Sequence, residues 1–351
     1  MSERDADSVT VLVMAPWLGA DLSYVAIDPT VVVVDGNAAL ASELYDEDPD
    51  GRAPAVEVPR EERDRMLGEA DVILVGYPVP RSLAARAPRL QWAHHTQAGV
   101  SNLHRSDLWV SDITLTSGRG TVAARAIAEY AVAAAMFVAR GLDEATRQKR
   151  DGRFTRGGYR MRTIAGSTMG VIGLGGIGRE VGRIAHALGM RVIATRWSID
   201  SPEHDVDGAD VVLPADRLLE VAAQSDFLVV CSQLTDQTLG MIDSSVFAAM
   251  PAHAVLVNVA RGEEVDEVAL VDAVNSGQIA GAILDVRAGE LEGRPPRLEL
   301  LEHPRILLTP HLSGMGDQVG LDLGRRLFTA NLRRFLDGEP LLNVVDRQRG
   351  Y

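Results

Sequence analysis

The sequence predicts an α/β protein made of two doubly wound domains, each built on a parallel sheet. Short, continuous apolar runs alternate with polar, helix-compatible segments along two separate stretches of the chain, and a long alanine-rich segment lies between these stretches. Continuous apolar runs are typical of parallel strands whose two faces are both covered by helices. A chain of 351 residues is also long enough for two domains, each with a core of its own.

The predicted strands and helices follow in chain order. The first stretch has five strand-like runs, at residues 9–15, 31–34, 71–75, 90–94 and 112–116. A helical pattern over residues 122–140 comes next, and Gly141 is suited to end it. The second stretch has six strand-like runs, at residues 170–174, 191–195, 227–231, 255–259, 282–286 and 306–309. A last helix is expected over residues 318–336.

Charge and composition exclude several kinds of partner. The formal net charge is −14, whereas nonspecific binding to nucleic acid needs a basic surface. The basic cluster from Arg147 to Arg162 is interpreted as a solvated linker or a contact between subunits. The longest near-apolar run, residues 130–139, is too short to cross a membrane, and the histidines lack metal-ligand spacing. The single cysteine, Cys231, fits a reducing compartment, so we expect a cytoplasmic protein without a metal.

A glycine-rich motif lies at the start of the second stretch. Gly173, Gly175 and Gly178 have the G-x-G-x-x-G spacing, and Gly176 and Ile177 complete the motif. It follows a predicted strand and opens a predicted helix, which is the setting in which a dinucleotide pyrophosphate binds. Unpaired N–H groups at the start of the helix favour such an anion. The motif therefore predicts a Rossmann-type cofactor domain.

The end of the next strand predicts which dinucleotide binds. An NAD site has an Asp or Glu there, about 20 residues past the glycines, to accept hydrogen bonds from the ribose 2′-OH. This chain has Arg196, Trp197 and Ser198 at that point and no acid. A guanidinium pairs with a 2′-phosphate, which a carboxylate would repel. We therefore expect NADP(H), with NAD(H) as the second choice; an Arg196 that merely faces solvent is the alternative.

Three short segments follow the glycine motif. They are residues 258–262 (Asn-Val-Ala-Arg-Gly), 284–290 (Leu-Asp-Val-Arg-Ala-Gly-Glu) and 309–314 (Thr-Pro-His-Leu-Ser-Gly). In their order and spacing the chain resembles the D-isomer-specific 2-hydroxyacid dehydrogenases, the family that includes glyoxylate/hydroxypyruvate reductases and phosphoglycerate dehydrogenases. The resemblance covers most of residues 70–340, and the first seventy residues carry little of it.

The resemblance implies a catalytic arginine, glutamate and histidine at Arg261, Glu290 and His311. Arg261 can clamp the carboxylate of a 2-keto acid and polarise its carbonyl. His311 as imidazolium can donate the proton that the carbonyl oxygen needs, and Glu290 would orient the ring and stabilise its charged form. Simpler roles stay open: a surface ion pair, an ordinary loop carboxylate and a structural histidine. Relatives usually have Phe and Pro where this chain has Arg287 and Leu291.

The resemblance also implies contacts with the cofactor and the substrate. The cofactor contacts that it implies are Ile177 of the glycine motif and, beyond the motif, Ser232, Gln233, Ala260, Arg261, Asp285, His311 and Gly314. The backbone N–H groups of Ala98 and Gly99 would meet the substrate carboxylate, together with Arg261 and His311. Two positions depart from the family pattern, because Gln233 replaces a usual proline and Ser101 a frequent aspartate.

Family architecture implies that the cofactor domain, residues 117–314, is inserted into a flavodoxin-like substrate domain made of residues 1–116 and 315–351. It also implies a homodimer. The expected function is NADP-linked interconversion of a small 2-keto acid and its D-2-hydroxy acid, with no membrane or nucleic-acid partner. Two alternatives stay open: a formate dehydrogenase-like enzyme, although that branch has glutamine where Glu290 stands, and a corepressor-like scaffold that binds a dinucleotide without turnover.

Overall fold

The computed structural model describes residues 8–41, 58–315 and 318–350. The chain forms two compact units, of which unit 1 comprises Met1–Val122 and Gln318–Tyr351, and unit 2 comprises Ala123–Asp317. Unit 2 is thus one continuous segment, whereas unit 1 contains both ends of the chain. Residues 1–7, at the start of the predicted substrate domain, lie outside the described residues.

Unit 1 contains a five-stranded parallel sheet. Its strands are β1 (Val9–Met14), β2 (Val31–Asp35), β3 (Val72–Val75), β4 (Trp92–His95) and β5 (Thr114–Ser117). They lie in the order β2-β1-β3-β4-β5, and Val11 of β1 is opposite both Val33 and Val72. This is the strand order of flavodoxin-like sheets, so the predicted fold of the substrate domain is confirmed.

Both faces of the inner strands β1, β3 and β4 are buried, as the continuous apolar runs predicted, whereas the edge strand β2 is partly exposed. Leu12 and Ile73 pack into one core cluster, while Val11 and Val72 pack into another. Neighbouring residues of a strand point to opposite faces, so each run must be apolar throughout. Among the described residues, α1 (Arg60–Gly68) precedes β3 and α2 (Leu83–Arg86) follows it.

Unit 2 contains an eight-stranded sheet. Its strands are β6 (Thr168–Ile172), β7 (Arg191–Arg196), β8 (Glu203–Val206), β9 (Ala209–Pro214), β10 (Phe227–Val230), β11 (Val255–Asn258), β12 (Gly281–Leu284) and β13 (Ile306–Leu308). Their order is β13-β12-β11-β10-β6-β7-β9-β8, and every neighbouring pair is parallel except β8 and β9. The order reverses between β6 and β10, where doubly wound sheets bind ligands beyond the carboxyl ends of their strands. The predicted Rossmann-type fold is confirmed.

The helices of unit 2 cover both faces of the sheet. They are α3 (Ala124–Ala139), α4 (Leu142–Arg150), α5 (Gly176–Ala187), α6 (Leu218–Gln224), α7 (Ser244–Ala249), α8 (Glu267–Ser276) and α9 (Leu298–Leu301). Ala128, Ala131 and Ala135 of α3 are fully buried and share a core with Val181 and Ala185 of α5. Alanine suits this position because its small side chain lets two helix backbones approach closely.

The last helix, α10 (Gln318–Leu336), belongs to unit 1. Its Phe328 ring stacks on Trp92, with ring centroids 5.2 Å apart, and Leu332 is fully buried in the same cluster. The buried Asn331 exchanges two hydrogen bonds with the Leu342 backbone, at 3.0 and 2.7 Å. No helix in the described ranges has the length and apolar character that crossing a membrane requires.

Sequence analysis missed the hairpin of β8 and β9. Its two-residue turn, Asp207 and Gly208, has φ values of +54° and +83°. An Asp-Gly pair between two short strands is typical of a type I′ turn, which needs positive φ at both positions. That dipeptide was the available signal, and the turn brings Asp207 to Arg196 at the end of β7.

Candidate active site

The glycine-rich turn after β6 forms one part of the candidate site. Gly173 has a φ of +92°, and a Cβ on it would lie 2.8 Å from the Cα of Ser232. A Cβ on Gly178 would lie 2.4 Å from the Gly173 carbonyl oxygen, so α5 starts directly against the turn. Gly175 is the N-cap residue of α5, and a Cβ there would meet nothing within 4 Å. The helix N-terminus is therefore open, and its unpaired N–H groups fit the pyrophosphate of a dinucleotide.

Three other predicted cofactor contacts lie in packed parts of unit 2. Gly176 and Ile177 begin α5, and the Ile177 side chain packs against the core. A Cβ on Gly314 would lie 3.3 Å from the Cβ of Ala123. Any contact of these residues with a cofactor would therefore come from the backbone, and all three contacts stay predictions.

Arg196, at the end of β7, forms ion pairs with two carboxylates. Its Nη1 lies 3.3 Å from Glu203 Oε2, and its Nη2 donates a hydrogen bond to Asp207. Its side chain is only 15% exposed, so Arg196 does not simply face solvent. Trp197 and Ser198, which follow it, are exposed. Sequence analysis found no acid at this strand end because both carboxylates come from the hairpin that it missed.

Ser232, after β10, is hydrogen-bonded to a buried acid. Its hydroxyl donates to the carboxylate of Glu264, a residue with 0% exposure. Oε1 of Glu264 has no hydrogen-bond partner among the described residues. Burial raises the pKa of Glu264 to about 7, although the bond from Ser232 and the charge of Arg261 oppose the shift. The neighbouring Gln233 accepts a hydrogen bond at its carbonyl from Thr238, at 2.7 Å.

Arg261, after β11, is held by the backbone of its own loop. The buried Asn258 donates from Nδ2 to the Arg261 carbonyl at 2.9 Å and accepts at Oδ1 from the Ala260 N–H at 3.0 Å. Nη1 of Arg261 donates to the Ala260 carbonyl at 2.7 Å. Burial lowers the pKa of Arg261, and the carboxylates of Glu290 and Glu264 oppose that shift. Its guanidinium remains a cation at neutral pH.

Gly262 brings the loop after β11 against the loop after β12. A Cβ on Gly262 would lie 1.8 Å from the Arg287 carbonyl carbon and 2.1 Å from the Ala288 nitrogen. Both are backbone atoms, so no side-chain rotation would relieve the clash. This contact holds the loop that carries Glu290 beside the loop that carries Arg261.

Glu290 and His311 form a close pair. His311 Nδ1 lies 2.7 Å from Glu290 Oε1. The glutamate side chain is 13% exposed and the histidine side chain 44% exposed, so the ring reaches solvent while its partner is largely buried. A carboxylate at Nδ1 favours a proton on that nitrogen and leaves Nε2 to exchange protons with another group.

The His311 loop is anchored on the fully buried Asp285. Oδ1 of Asp285 accepts hydrogen bonds from the Thr309 hydroxyl at 2.7 Å and from the Leu312 N–H at 2.9 Å, and Oδ2 accepts from the Ser313 N–H at 2.9 Å. The His311 N–H donates to the Asp285 carbonyl at 2.8 Å. These bonds hold His311 at a φ of +52°, which few residues other than glycine adopt. A contact of Asp285 with the nicotinamide amide stays a prediction.

Tyr130 of α3 extends this network, and sequence analysis missed it. Its hydroxyl lies 2.6 Å from Thr309 Oγ1. Because the Thr309 hydroxyl donates to Asp285, the Tyr130 hydroxyl is the donor in this pair. Burial raises the pKa of Tyr130, which therefore keeps its proton at neutral pH. A chain of donors thus runs from the helix to the buried carboxylate.

The predicted substrate loop lies in unit 1. Ala98 and Gly99 follow β4 and are half-buried. The Gly118 N–H donates to the carbonyls of His95 and Gln97, at 3.0 and 2.9 Å, and so fixes the start of the loop. Contacts of Ala98 and Gly99 with a substrate carboxylate stay predictions.

His94 on β4 has a structural environment. Its Nδ1 lies 2.7 Å from Thr116 Oγ1, which also accepts a hydrogen bond from Trp92 Nε1 at 2.8 Å. Burial lowers the pKa of His94 to about 3, so the ring is neutral. Within the part of the chain that the structure describes, no three His, Cys, Asp or Glu residues are grouped as metal ligands would be.

The chain is similar to known proteins in sequence. Residues 132–313 match the family described as D-isomer specific 2-hydroxyacid dehydrogenase, NAD binding domain. A glyoxylate reductase of Korarchaeum cryptofilum is 31% identical over 284 residues, which are 80% of this chain and 83% of that protein. A D-3-phosphoglycerate dehydrogenase of Methanocaldococcus jannaschii is 29% identical over 297 residues, 82% of this chain, but the match spans only 54% of that protein.

Solved structures are similar over nearly the whole chain. A D-isomer specific 2-hydroxyacid dehydrogenase from Xanthobacter autotrophicus Py2, in complex with NADPH and MES, has a TM-score of 0.72 at 27% identity and covers 99% of this chain and 100% of its own. A probable 2-hydroxyacid dehydrogenase from Rhizobium etli CFN 42, in complex with NADP, HEPES and L(+)-tartaric acid, has a TM-score of 0.71 at 25% identity and covers 98% of this chain and 99% of its own.

Replacing Glu264 by Gln tests the buried carboxyl group. The fold raises the pKa of Glu264 from 4.5 to about 7, so it favours the protonated form. The contribution of protonated Glu264 to the free energy of unfolding is complete below pH 4.5, and it is lost as the pH rises to about 7. Glutamine does not ionise, so Glu264→Gln should gain stability over the native protein across this window, by up to ~3 kcal/mol at about 1.4 kcal/mol per pKa unit. Urea unfolding of both proteins from pH 4.5 to 8 measures this difference.

The exposed Glu302 supplies the control for that comparison, because Glu302→Gln removes the same charge without a buried environment. Its stability difference from the native protein should stay flat across the window. A Glu264→Gln difference that is equally flat would show that Glu264 does not hold a proton in the fold.

Replacing Thr309 by Val tests the network that anchors the His311 loop. Valine has a similar shape but no hydroxyl, so Tyr130 would lose its acceptor and Asp285 one donor. We expect a loss of ~1–3 kcal/mol in the free energy of unfolding. Thr309→Ser keeps the hydroxyl and should lose clearly less. Chemical denaturation compares the three proteins, and equal losses in Val and Ser variants would contradict the network.

Proposed function

Since the chain belongs to the D-isomer-specific 2-hydroxyacid dehydrogenases, which couple NAD(P) to the oxidation and reduction of 2-hydroxy and 2-keto acids, we propose that it is an NADP-linked reductase of a small 2-keto acid. The product is the D-2-hydroxy acid, and the reverse reaction oxidises it. NADP(H) is the preferred cofactor and NAD(H) the second. The similar structure from Xanthobacter autotrophicus Py2 holds NADPH, and the glyoxylate reductase of Korarchaeum cryptofilum is named for a small 2-keto acid.

The observation that carries this proposal is the pair of His311 and Glu290. The two side chains are 2.7 Å apart, and both follow strands of the sheet in unit 2. The same edge of the sheet carries Arg261 and the glycine-rich turn. A proton donor, a carboxylate that orients it, a guanidinium and an open helix N-terminus are the groups that reduction of a 2-keto acid by a dinucleotide requires.

The residues of the glycine-rich turn fit the cofactor. Gly175 leaves the start of α5 open, and Gly173 and Gly178 let strand, turn and helix pack without side chains between them. A dinucleotide held there would supply the hydride for the 2-carbon of the keto acid, or would accept one from the hydroxy acid.

The chemistry of the chain's own side chains completes the reaction. The Arg261 guanidinium binds the substrate carboxylate and polarises the neighbouring carbonyl, which orients the substrate and stabilises the negative charge that develops on oxygen. In the direction of reduction, His311 donates the proton from Nε2 to that oxygen as the carbon is reduced. The Glu290 carboxylate, with its Oε1 2.7 Å from Nδ1, orients the imidazole ring for this transfer. The partly exposed ring regains its proton from solvent.

Assembly and location are part of the same proposal. We propose a homodimer in the cytoplasm. The basic cluster from Arg147 to Arg162 includes two exposed apolar side chains, Phe154 and Met161, which a contact between subunits would cover. Cys231 is the single cysteine of the sequence, which fits a reducing compartment, and it is a buried thiol whose pKa is raised by burial.

The direct test of the proposed activity is oxidation of NADPH by the purified protein with a panel of 2-keto acids. We expect turnover of at least one small keto acid, formation of its D-2-hydroxy acid, and a higher kcat/KM with NADPH than with NADH. His311→Asn should reduce turnover to near the background level because no proton donor remains. Tight dinucleotide binding without turnover of any acid would favour a binding scaffold, and NAD-linked oxidation of formate would favour the formate dehydrogenase branch.

Replacing Arg261 by Lys tests the proposed substrate clamp. Lysine keeps the positive charge but lacks the planar pair of donors that matches a carboxylate. We expect kcat/KM to fall by about 10²-fold or more, while the Kd of NADPH changes little. Arg297→Lys, on the exposed start of α9, controls for a general effect of the exchange. If turnover survives Arg261→Lys within a few-fold, Arg261 is not the clamp.

A further inference from the structure

One carboxylate lies between two arginines beside the end of β7. Asp207 accepts a hydrogen bond from Arg196 Nη2, and its Oδ2 lies 3.3 Å from Arg179 Nε. Glu203 faces the same guanidinium of Arg196, with its Oε2 3.3 Å from Nη1. The two arginines carry two positive charges, and the two acids balance them.

The hairpin turn that carries Asp207 is fixed against helix α5. A Cβ on Gly182 of α5 would lie 2.6 Å from the Gly208 carbonyl oxygen, and a Cβ on Gly208 would lie 2.9 Å from the Arg183 nitrogen. Backbone meets backbone at this contact, so the turn has little freedom to move away. Asp207 can therefore release the arginines by rotating its side chain, while its backbone stays in place.

We propose that Asp207 sets how strongly this chain discriminates between NADP(H) and NAD(H), because its carboxylate occupies the place between Arg196 and Arg179 that a ribose 2′-phosphate would take. The inference rests on the proposed nucleotide site at Arg196. A 2′-phosphate carries more negative charge than a carboxylate and binds guanidinium groups bidentately. The 2′-phosphate must displace the Asp207 carboxylate to reach the two guanidinium groups. It then lies near Asp207, which has lost its ion pairs. Asp207 therefore reduces the preference for NADP(H) that Arg196 alone would give.

Binding of NAD(H) does not need this displacement. A ribose 2′-OH is neutral, and a carboxylate accepts its hydrogen bond readily. The pyrophosphate would bind at the N–H groups that open α5, whereas Asp207 contacts α5 through the side chain of Arg179. Removing the charge of Asp207 should thus change affinity for nucleotides that carry a 2′-phosphate and leave the others nearly unchanged.

Asp207→Asn is the variant that tests this, and it should fold. Asparagine tolerates positive φ, and Asn-Gly is a favoured pair in a two-residue hairpin turn. Isothermal titration with adenosine 2′,5′-bisphosphate and with adenosine 5′-monophosphate measures the effect directly on the full chain. We expect Asp207→Asn to bind the bisphosphate about tenfold more tightly than the native protein does, with the monophosphate within about twofold. The gain should vanish in the Asp207→Asn/Arg196→Gln double variant.

Asp205→Asn is the matched control, because Asp205 is exposed, has a φ of +53° and lies on the same hairpin. It removes an equal charge and should change both affinities by less than about twofold. An unchanged or weaker affinity of Asp207→Asn for the bisphosphate would overturn the proposal, and so would an equal gain in Asp205→Asn. Glu203→Gln, which frees Arg196 without altering the turn, should give a gain of the same sign. The titration does not depend on turnover, so a failure to reduce keto acids would leave its result intact.

Discussion

A fully buried carboxyl group needs a hydrogen-bond donor for each of its oxygens, and in unit 2 that requirement shapes the loop of His311. The Asp285 carboxylate accepts hydrogen bonds from the Thr309 hydroxyl and from two backbone N–H groups. The Asp285 backbone carbonyl accepts a hydrogen bond from the N–H of His311. Leaving such a group without partners would cost several kcal/mol. The loop therefore adopts the conformation that satisfies Asp285, and the strained φ of His311 is a consequence of it. His311, the proton donor of the proposed reaction, is positioned by the hydrogen bonds that the buried Asp285 requires.

Much of the fold could be predicted because the pattern of apolar residues reflects a single physical condition. A parallel strand that is covered on both faces must be apolar throughout, and the runs at residues 227–231 and 255–259 contain β10 and β11. The glycine motif could be interpreted for a similar reason. Gly173 and Gly178 each occupy a position where a Cβ would strike backbone, so their spacing depends on local geometry that the sequence carries directly.

The parts that sequence analysis missed depend on contacts between distant residues. Tyr130 meets Thr309 across 179 positions, and nothing in an alanine-rich helix marks one tyrosine as a hydrogen-bond donor to a distant loop. Glu264 looks like one of several acids after Arg261, and only the packed structure shows that it is buried against Ser232. The Asp-Gly pair at Asp207 indicates a turn, but it does not show that Asp207 meets Arg196 on another strand. Sequence patterns predict secondary-structure elements and turns, but they do not predict which side chains of separate elements are in contact.

The backbone contact at Gly262 couples the effects of substitutions in the loops after β11 and β12. Its missing Cβ leaves room for the backbone of residues 287 and 288, so the loops after β11 and β12 share one space. A substitution in either loop that shifts its backbone must be accommodated by the other, and the effects of two such substitutions will not add. The two loops therefore form one structural unit, and a loop transplanted from a relative would keep its geometry only if the neighbouring loop were transplanted with it.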